Sequence, residues 1–374
     1  MTRAATGQDS PFIIWTFRRT GGTRLGDVLF QRSSHDKVEH EPFNNERIYG
    51  GVNERYRETG DDAALRVELA DICRRGVLIK HCLELMPPGL NQALAAVASD
   101  AGYRHLFLYR RRPLGRLLSL HYSQQSGVWG RLQAQATAVD EAAILARPLP
   151  VARLLAHERM SRARMRDCYR AVCAQGGQPV LAAFEDIYGE PDQALVRDRL
   201  LAILDALGMS RSEGSDREFL AATLTGEQGT RSRYTQFPNY PEFAAAVEAL
   251  GEFSPAEPGV VIEVLDLPDW VETFTVWPPE RRAGSPAEGV VAGILLPKEA
   301  REGQLLFVSA DGESVVASTG LPSRGFASRA PANALSGRAR FRFDQLRLAP
   351  GLDGECVWVD QSGQRTPLAR VSFE

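Results

Sequence analysis

The chain lacks the cysteine pairs that disulfide frameworks and zinc sites require. Its 374 residues include five cysteines, an odd number, and no two of them are spaced as Cys-x-x-Cys. They are Cys73, Cys82, Cys168, Cys173 and Cys356. Reduced thiols in a cytoplasm are the simplest interpretation, so we expect a cytoplasmic protein without structural disulfides or a zinc site.

Long hydrophobic runs and an excess of one charge are also absent. No stretch approaches the length of a membrane span, and residues 1–10 lack the apolar core of a signal peptide. The formal net charge is −3, so the chain is not expected to coat a nucleic acid. Hydrophobic residues make up 44% of the chain, which is enough for a large core and a second unit. The composition predicts a soluble enzyme with no membrane span and no nucleic-acid partner.

The first apolar run, residues 12–17, is not followed by the Gly-Lys-Ser/Thr of a Walker A loop. The glycines that come after it, at 21, 22 and 26, also miss the G-x-G-x-x-G spacing of a dinucleotide fingerprint. The run leads instead into a basic turn that opens a helix and consists of Arg18, Arg19, Thr20, Gly21, Gly22, Thr23 and Arg24.

That turn has the features of an anion-binding site. The N–H groups of a turn after a buried strand, together with the N-terminus of the next helix, favour negative charge. The arginines add formal charge, the glycines let the backbone approach a ligand, and the threonines offer hydroxyls. We therefore expect the turn to hold a phosphate or a sulfate, although an ordinary strand-to-helix turn could have the same residues.

A second segment of this kind lies later in the chain. An apolar strand, 105–109, runs into three arginines, 110–112, and Pro113 begins a helix that carries Ser119. Arg111 at the end of the strand and Ser119 two turns into the helix can converge on one phosphate, the arginine through two hydrogen bonds. The alternative is a solvated charge run beside a serine on the helix surface.

The two segments together resemble the sulfotransferases that use 3′-phosphoadenosine 5′-phosphosulfate (PAPS). In that family the turn after the first strand binds the 5′-phosphosulfate, and the residues that match its pattern are Arg19, Thr20, Gly21 and Thr23. Gly22 and Arg24 depart from the pattern. The family grips the 3′-phosphate with an arginine after a later strand and a serine on the following helix, which correspond here to Arg111 and Ser119.

The resemblance implies a PAPS-dependent sulfotransferase of the bacterial or carbohydrate type that works without a metal. PAPS would supply the sulfuryl group to a hydroxyl of a small molecule or glycan. Arg19, with Arg18 beside it, would neutralise charge on the bridging oxygen. The family's base is either a glutamate soon after the first helix or a histidine after the next strand. Here these are Glu41 and His81, and we favour Glu41 because Lys80-His81 is displaced by one residue from the usual Lys-x-His.

Further segments extend the resemblance over residues 10–250. The strand and acidic corner that close the family's core correspond to residues 179–187 and include Phe184, Glu185 and Asp186. Arg231 and Arg233 lie where family members carry a basic lid over the nucleotide. A long arginine-rich helix is predicted over residues 152–170, where it either lines a channel for an anionic acceptor or presents a solvated face.

The predicted fold is an α/β, P-loop-like, three-layer core over residues 1–254, followed by an all-β unit. The core has a mostly parallel sheet, with strands near residues 12–17, 77–81, 104–109 and 179–184. Proline and glycine predict a linker at 255–286, and short alternating segments predict a β-sandwich at 287–374. Carbohydrate contact, homodimer formation and packing against the core are all open roles for the sandwich.

Two functions of other classes stay open. A non-catalytic protein that binds a nucleotide or a glycan could retain the same anion-binding residues without the chemistry. A small-molecule kinase is a further alternative, which the missing Lys-Ser/Thr disfavours.

Overall fold

The structure is a computed structural model that describes residues 9–36, 38–129, 139–210, 212–224, 231–256, 260–276, 280–282, 285–327, 330–347 and 353–373. The chain divides into two compact units, Met1–Glu257 and Pro258–Glu374. None of the described helices is both long and apolar enough to cross a membrane.

The first unit is built on a five-stranded parallel sheet. Its strands are β1 (Phe12–Thr16), β2 (Val38–His40), β3 (Leu78–Cys82), β4 (Arg104–Tyr109) and β5 (Val180–Ala183), in the order β2-β3-β1-β4-β5. All five residues of β1 are buried, as expected for a central strand that is covered on both faces.

Helices cover both faces of this sheet. They are α1 (Gly22–Arg32), α2 (Gly50–Thr59), α3 (Asp62–Arg74), α4 (Pro88–Asp100), α5 (Leu114–Ser126), α6 (Glu141–Leu145), α7 (Val151–Ala174), α8 (Phe184–Tyr188), α9 (Gln193–Ala206), α10 (Glu213–Leu224) and α11 (Tyr240–Glu248). Ile13 and Trp15 of β1 share a core with α3, α4 and α7, whereas Phe12 and Ile14 share another with α1, α9 and α10. Successive residues of a strand point to opposite faces, so β1 contributes to both cores and the unit has three layers.

The four strands predicted for this unit are confirmed, each within one residue of the expected bounds. Strand β2 was not predicted. It has three residues, all half-buried, and so short a segment gives no alternating pattern to recognise.

The second unit consists of two antiparallel sheets. Their strands are β6 (Val260–Val264), β7 (Val271–Val276), β8 (Glu280–Arg282), β9 (Ser285–Pro297), β10 (Gly303–Ser309), β11 (Ser314–Val316), β12 (Ser318–Leu321), β13 (Arg340–Arg347), β14 (Asp353–Asp360) and β15 (Arg365–Phe373). One sheet has the order β11-β10-β14-β15-β6, and the other has the order β12-β13-β9-β7 with β8 beside β9. Phe307 and Trp358 from the first sheet share one core with Phe274 and Phe341 from the second, which is the packing of a sandwich.

The predicted linker at 255–286 is corrected by the structure. Strands β6, β7 and β8 lie within it, and the boundary between the units falls at Glu257. Proline and glycine also punctuate the turns between short strands, so their clustering did not distinguish a linker from the first strands of a sandwich.

Candidate functional site

The turn between β1 and α1 has a backbone that few residues adopt. Arg19 and Gly21 have positive φ angles of 64° and 83°. Among the described residues, the two non-glycine residues with positive φ are Arg19 and Glu41, both of which the sequence places in the site. Such a conformation costs about 1–2 kcal/mol for a residue with a side chain, and it concentrates at functional sites.

Helix α1 begins at this turn without a side-chain cap. Gly21 occupies the N-cap position, and no side chain hydrogen bonds to the first-turn N–H groups from there. A Cβ atom on Gly21 would lie 3.2 Å from the ring of Phe184, so a larger residue would crowd the turn. No side chain at the N-cap therefore occupies the first-turn N–H groups of α1. Their partial positive charge favours an anion, as the sequence predicted.

Thr20 is the buried polar residue of the turn. Its side chain is fully buried, and among the described residues its Oγ1 has no hydrogen-bond partner. Buried hydroxyls are nearly always paired, because an unpaired one loses its bonds to water without replacement. The unpaired hydroxyl of Thr20 is therefore a candidate hydrogen-bonding group for a ligand at the turn.

The two predicted anion-binding segments meet at Arg19. Its Nε donates to Ser119 Oγ at 2.8 Å, and its Nη1 donates to the carbonyl of Trp129 at 2.8 Å. Burial lowers the pKa of Arg19, although the guanidinium stays charged at neutral pH. Arg110 reaches the same place, because its Nη2 donates to the carbonyl of Arg19 at 3.2 Å.

Arg18 is held by a carboxylate that sequence reasoning missed. Its backbone N–H and its Nε both donate to Glu84 Oε1, at 3.2 and 2.6 Å. The Glu84 side chain is only 1% exposed. Burial opposes its ionisation, but hydrogen bonding to His157 and the charges of Arg116 and Arg18 hold its pKa well below the usual range.

Glu84 lies in a short 3-10 helix, Leu83–Leu85, and belongs to a buried network of charges that also includes α5 and α7. Arg116 of α5 donates to Glu84 Oε2 at 3.2 Å and pairs with Glu158 of α7. Arg162 donates its Nε to Glu158 at 3.0 Å, and its other nitrogens donate to the carbonyls of residues 250 and 251. The i,i+4 spacing of Glu158 and Arg162 was a visible signal for part of this network.

Glu41 lies near the start of α1, to which it is connected through Lys80. It pairs with Lys80 and accepts hydrogen bonds from Asn44 Nδ2 at 2.8 Å and from Cys82 Sγ at 3.3 Å. Burial opposes the ionisation of Glu41, but these partners outweigh it and lower its pKa. Lys80 itself packs against the helix start, since a Cβ atom on Gly22 would lie 3.3 Å from its Cε.

His81, the other candidate base, lies in the core. Its ring packs against Trp15 and Phe43, and its Nε2 donates to Asn91 Oδ1 at 2.7 Å. It is 1% exposed, and burial lowers its pKa to about 4. Because adjacent residues of a strand point to opposite faces, Lys80 faces α1 and His81 faces the other layer. Of the two candidate bases, Glu41 is the one with an accessible side chain beside the turn.

Arg111 and Ser119 have different partners. Arg111 pairs with Asp186, and its backbone N–H donates to Glu185 Oε2 at 3.1 Å. Ser119 instead accepts from Arg19. The spacing that suggested a shared phosphate did not anticipate the acidic corner after β5, which is the neighbour of β4 in the sheet.

The remaining predicted residues are Thr23, Arg24, Arg231 and Arg233. Arg24 donates to the carbonyl of Ala222 in α10, and Thr23 is exposed. Arg233 donates to both carboxylate oxygens of Glu141 at 3.1 Å. The side chain of Arg231 lies outside the described part of the structure.

Comparison of the chain with protein-family models, with curated proteins and with solved structures found no match. A function must therefore be inferred from the residues themselves.

Proposed function

We propose that the chain is a sulfotransferase that moves a sulfuryl group from PAPS to a hydroxyl of a carbohydrate or a small metabolite. The observation that carries the proposal is the 2.8 Å hydrogen bond between Arg19 and Ser119. It joins two anion-binding segments at the carboxyl ends of neighbouring parallel strands, β1 and β4, where ligands of such sheets bind. A nucleotide with two separate anionic groups is a ligand that such a pair of segments suits.

The turn would bind and orient the donor. PAPS supplies the activated sulfuryl group when it is bound. The N-terminus of α1 and Thr20 Oγ1 would hold its anionic oxygens, and Arg19 would neutralise the charge that develops on the leaving oxygen. The five-stranded sheet between two helical layers supports the P-loop-like core that this role requires.

Glu41 would accept the proton of the attacking hydroxyl. Its lowered pKa keeps it ionised at neutral pH, and its hydrogen bonds to Lys80 and Asn44 fix its orientation. A base must be both accessible and positioned, and Glu41 meets both conditions.

Binding of 3′,5′-adenosine bisphosphate (PAP), the desulfated product, tests the proposal. A ligand that binds the native state at 100 times its Kd stabilises it by about 2.7 kcal/mol, which predicts a rise in Tm of about 5–10 °C. The matched control is 5′-AMP, which lacks the 3′-phosphate and should shift Tm less. A folded protein whose Tm does not respond to PAP would contradict the nucleotide site.

Turnover separates the catalytic from the non-catalytic alternative. Labelled PAPS is incubated with a panel of glycans, phenols and metabolite alcohols, and transfer of the label is measured. PAP binding without transfer to any acceptor would favour a binding protein, and ATP turnover would favour a kinase.

The 3′-phosphate assignment has its own test. We expect Ser119→Ala and Arg111→Ala to weaken PAP binding, the arginine variant more strongly because it loses a charge-assisted contact. Arg112→Ala is the matched control, because Arg112 is the next residue and its side chain is 79% exposed. If the dissociation constant for PAP is unchanged in both site variants, the assignment of Arg111 and Ser119 to the 3′-phosphate is wrong.

A further inference from the structure

A cavity of about 410 Å³ lies between α5 and α7. Leu120, Gln124 and Gln125 line it from α5, and Arg153, Leu154 and His157 line it from α7. Four of these six side chains carry hydrogen-bonding groups. Amides, a guanidinium and an imidazole together suit a ligand that is rich in hydroxyl or acidic groups. The two leucines offer apolar surface to its carbon skeleton.

The cavity and the anion-binding turn share one carboxylate. His157, in the cavity wall, places Nε2 3.4 Å from Glu84 Oε2. The other oxygen of Glu84 accepts the hydrogen bond from Arg18 Nε at 2.6 Å. The wall of the cavity and the turn that would hold the sulfuryl group are therefore linked through this one buried carboxylate.

Arg153 supplies a positive charge to the cavity wall, and its side chain is exposed. Within the described part of the chain, no carboxylate lies at ion-pair distance from it. Its neighbour His121 is 4% exposed, and neither ring nitrogen has a hydrogen-bond partner among the described residues. Burial and the charge of Arg153 both lower the pKa of His121. An anion bound in the cavity would meet the guanidinium of Arg153 without a competing carboxylate from the described residues.

We propose that this cavity binds the acceptor and that the acceptor is an acidic carbohydrate. Its carboxylate or sulfate pairs with Arg153, and its hydroxyls bond to the amides of Gln124 and Gln125. The role of the bound sugar as an acceptor rests on the proposed sulfotransferase function, whereas binding of an acidic sugar to the cavity does not.

Titration calorimetry on the full chain, with and without saturating PAP, tests this site. The probes are three tetrasaccharides that differ only in the terminal sugar, which is glucose, glucuronic acid or glucose 6-sulfate. We expect at least one acidic probe to bind about tenfold more tightly than the neutral one, because one charge-assisted contact is added. The better of the two acidic probes identifies whether the anion is a carboxylate or a sulfate.

Two variants locate the preference. Arg153→Gln should remove the advantage of the acidic probe, about tenfold, and leave PAP affinity unchanged. Arg66→Gln, an exposed arginine on α3, is the matched control and should bind all probes as the unaltered chain does.

Each outcome decides between the two proposals. Equal affinity for acidic and neutral probes, no binding of any probe, or an acidic preference that survives Arg153→Gln would overturn the cavity site. If PAP does not bind but an acidic probe still binds through Arg153, the cavity site stands and the sulfotransferase proposal fails.

Discussion

Thr20 allows ligand binding to be separated from stability at a single residue. Its Oγ1 has no partner among the described residues, so Thr20→Val removes a buried hydroxyl that stabilises nothing in the protein. We expect the free energy of unfolding to stay unchanged or to rise by about 1 kcal/mol, while PAP affinity falls about five- to tenfold. Urea unfolding and titration calorimetry measure the two quantities.

Thr223 is the control for that experiment. It is also buried, but its Oγ1 donates to the carbonyl of Phe219 at 2.8 Å. Thr223→Val should therefore lower the free energy of unfolding by about 1 kcal/mol and leave PAP affinity unchanged. If Thr20→Val behaved in the same way as Thr223→Val, the hydroxyl of Thr20 would have no ligand role.

Glu41 carries the prediction about proton transfer. Glu41→Gln keeps the shape and loses the basicity, so we expect kcat for sulfuryl transfer to fall by about two to four orders of magnitude with PAP affinity nearly unchanged. Glu39→Gln, a change two residues earlier in β2, is the control. His81→Asn should lower the free energy of unfolding, because His81 is a core residue. Near-normal kcat in Glu41→Gln with a collapse in His81→Asn would reverse the assignment.

Buried charges connect the turn between β1 and α1 to the helices α5 and α7. Arg116 is the centre of this network, between Glu84 and Glu158, and all three side chains are 1% exposed. Arg116→Met leaves two buried carboxylates without their shared partner, and we expect it to lower the free energy of unfolding by about 3–5 kcal/mol. Denaturant unfolding measures the change.

Arg112→Met is the matched substitution for that prediction. Arg112 precedes Arg116 by four residues and pairs with Glu252, but both side chains are exposed. An exposed ion pair contributes less than about 1 kcal/mol, so this variant should unfold almost as the unaltered chain does. Similar losses in the two variants would mean that the buried network contributes no more than a surface pair.

Two of the buried histidines of the first unit, His81 and His105, link its stability to pH. Burial lowers the pKa of His81 and His105 to about 4, against 6.5 for an exposed histidine. Trp15 Nε1 donates to His105 Nδ1 at 3.0 Å, an acceptor that protonation would remove. Between these pH values the unfolded chain binds more protons than the folded one. The free energy of unfolding should therefore fall as the pH drops from about 6.5 to 4, by up to about 1.4 kcal/mol per pH unit for each histidine.

The second unit is an internal control for this pH dependence. All six histidines lie between residues 35 and 157, in the first unit. Calorimetric scans at pH 5 and pH 7 should show a lower Tm for the first unit at pH 5, and His105→Asn should reduce that difference. A first unit with the same Tm at both pH values would contradict the neutral, buried state of the two histidines.

Much of the fold was visible in the sequence, and the site was visible only in part. The apolar runs before Arg18 and Arg110 predicted β1 and β4 because a strand covered on both faces needs a continuous apolar run. Glu84 gave no such signal, because a lone glutamate between two leucines is compatible with a surface turn as well as with a buried ion pair. The linker was misplaced because turn residues also separate short strands.

Local patterns in the sequence were enough to locate the main strands of the first unit, the turn between β1 and α1, and the division into an α/β unit and a β unit. These depend on local patterns of apolar, glycine and proline residues, which act over a few positions. The contacts between residues that are distant in the sequence followed only from the folded chain. Strand β1 lies between β3 and β4, so Lys80 and Ser119 reach the turn from distant parts of the chain. Lys80 of β3 and its partner Glu41 lie on the α1 side of the sheet, whereas His81 points to the opposite face. Which side chains meet on each face depends on how all the strands pair.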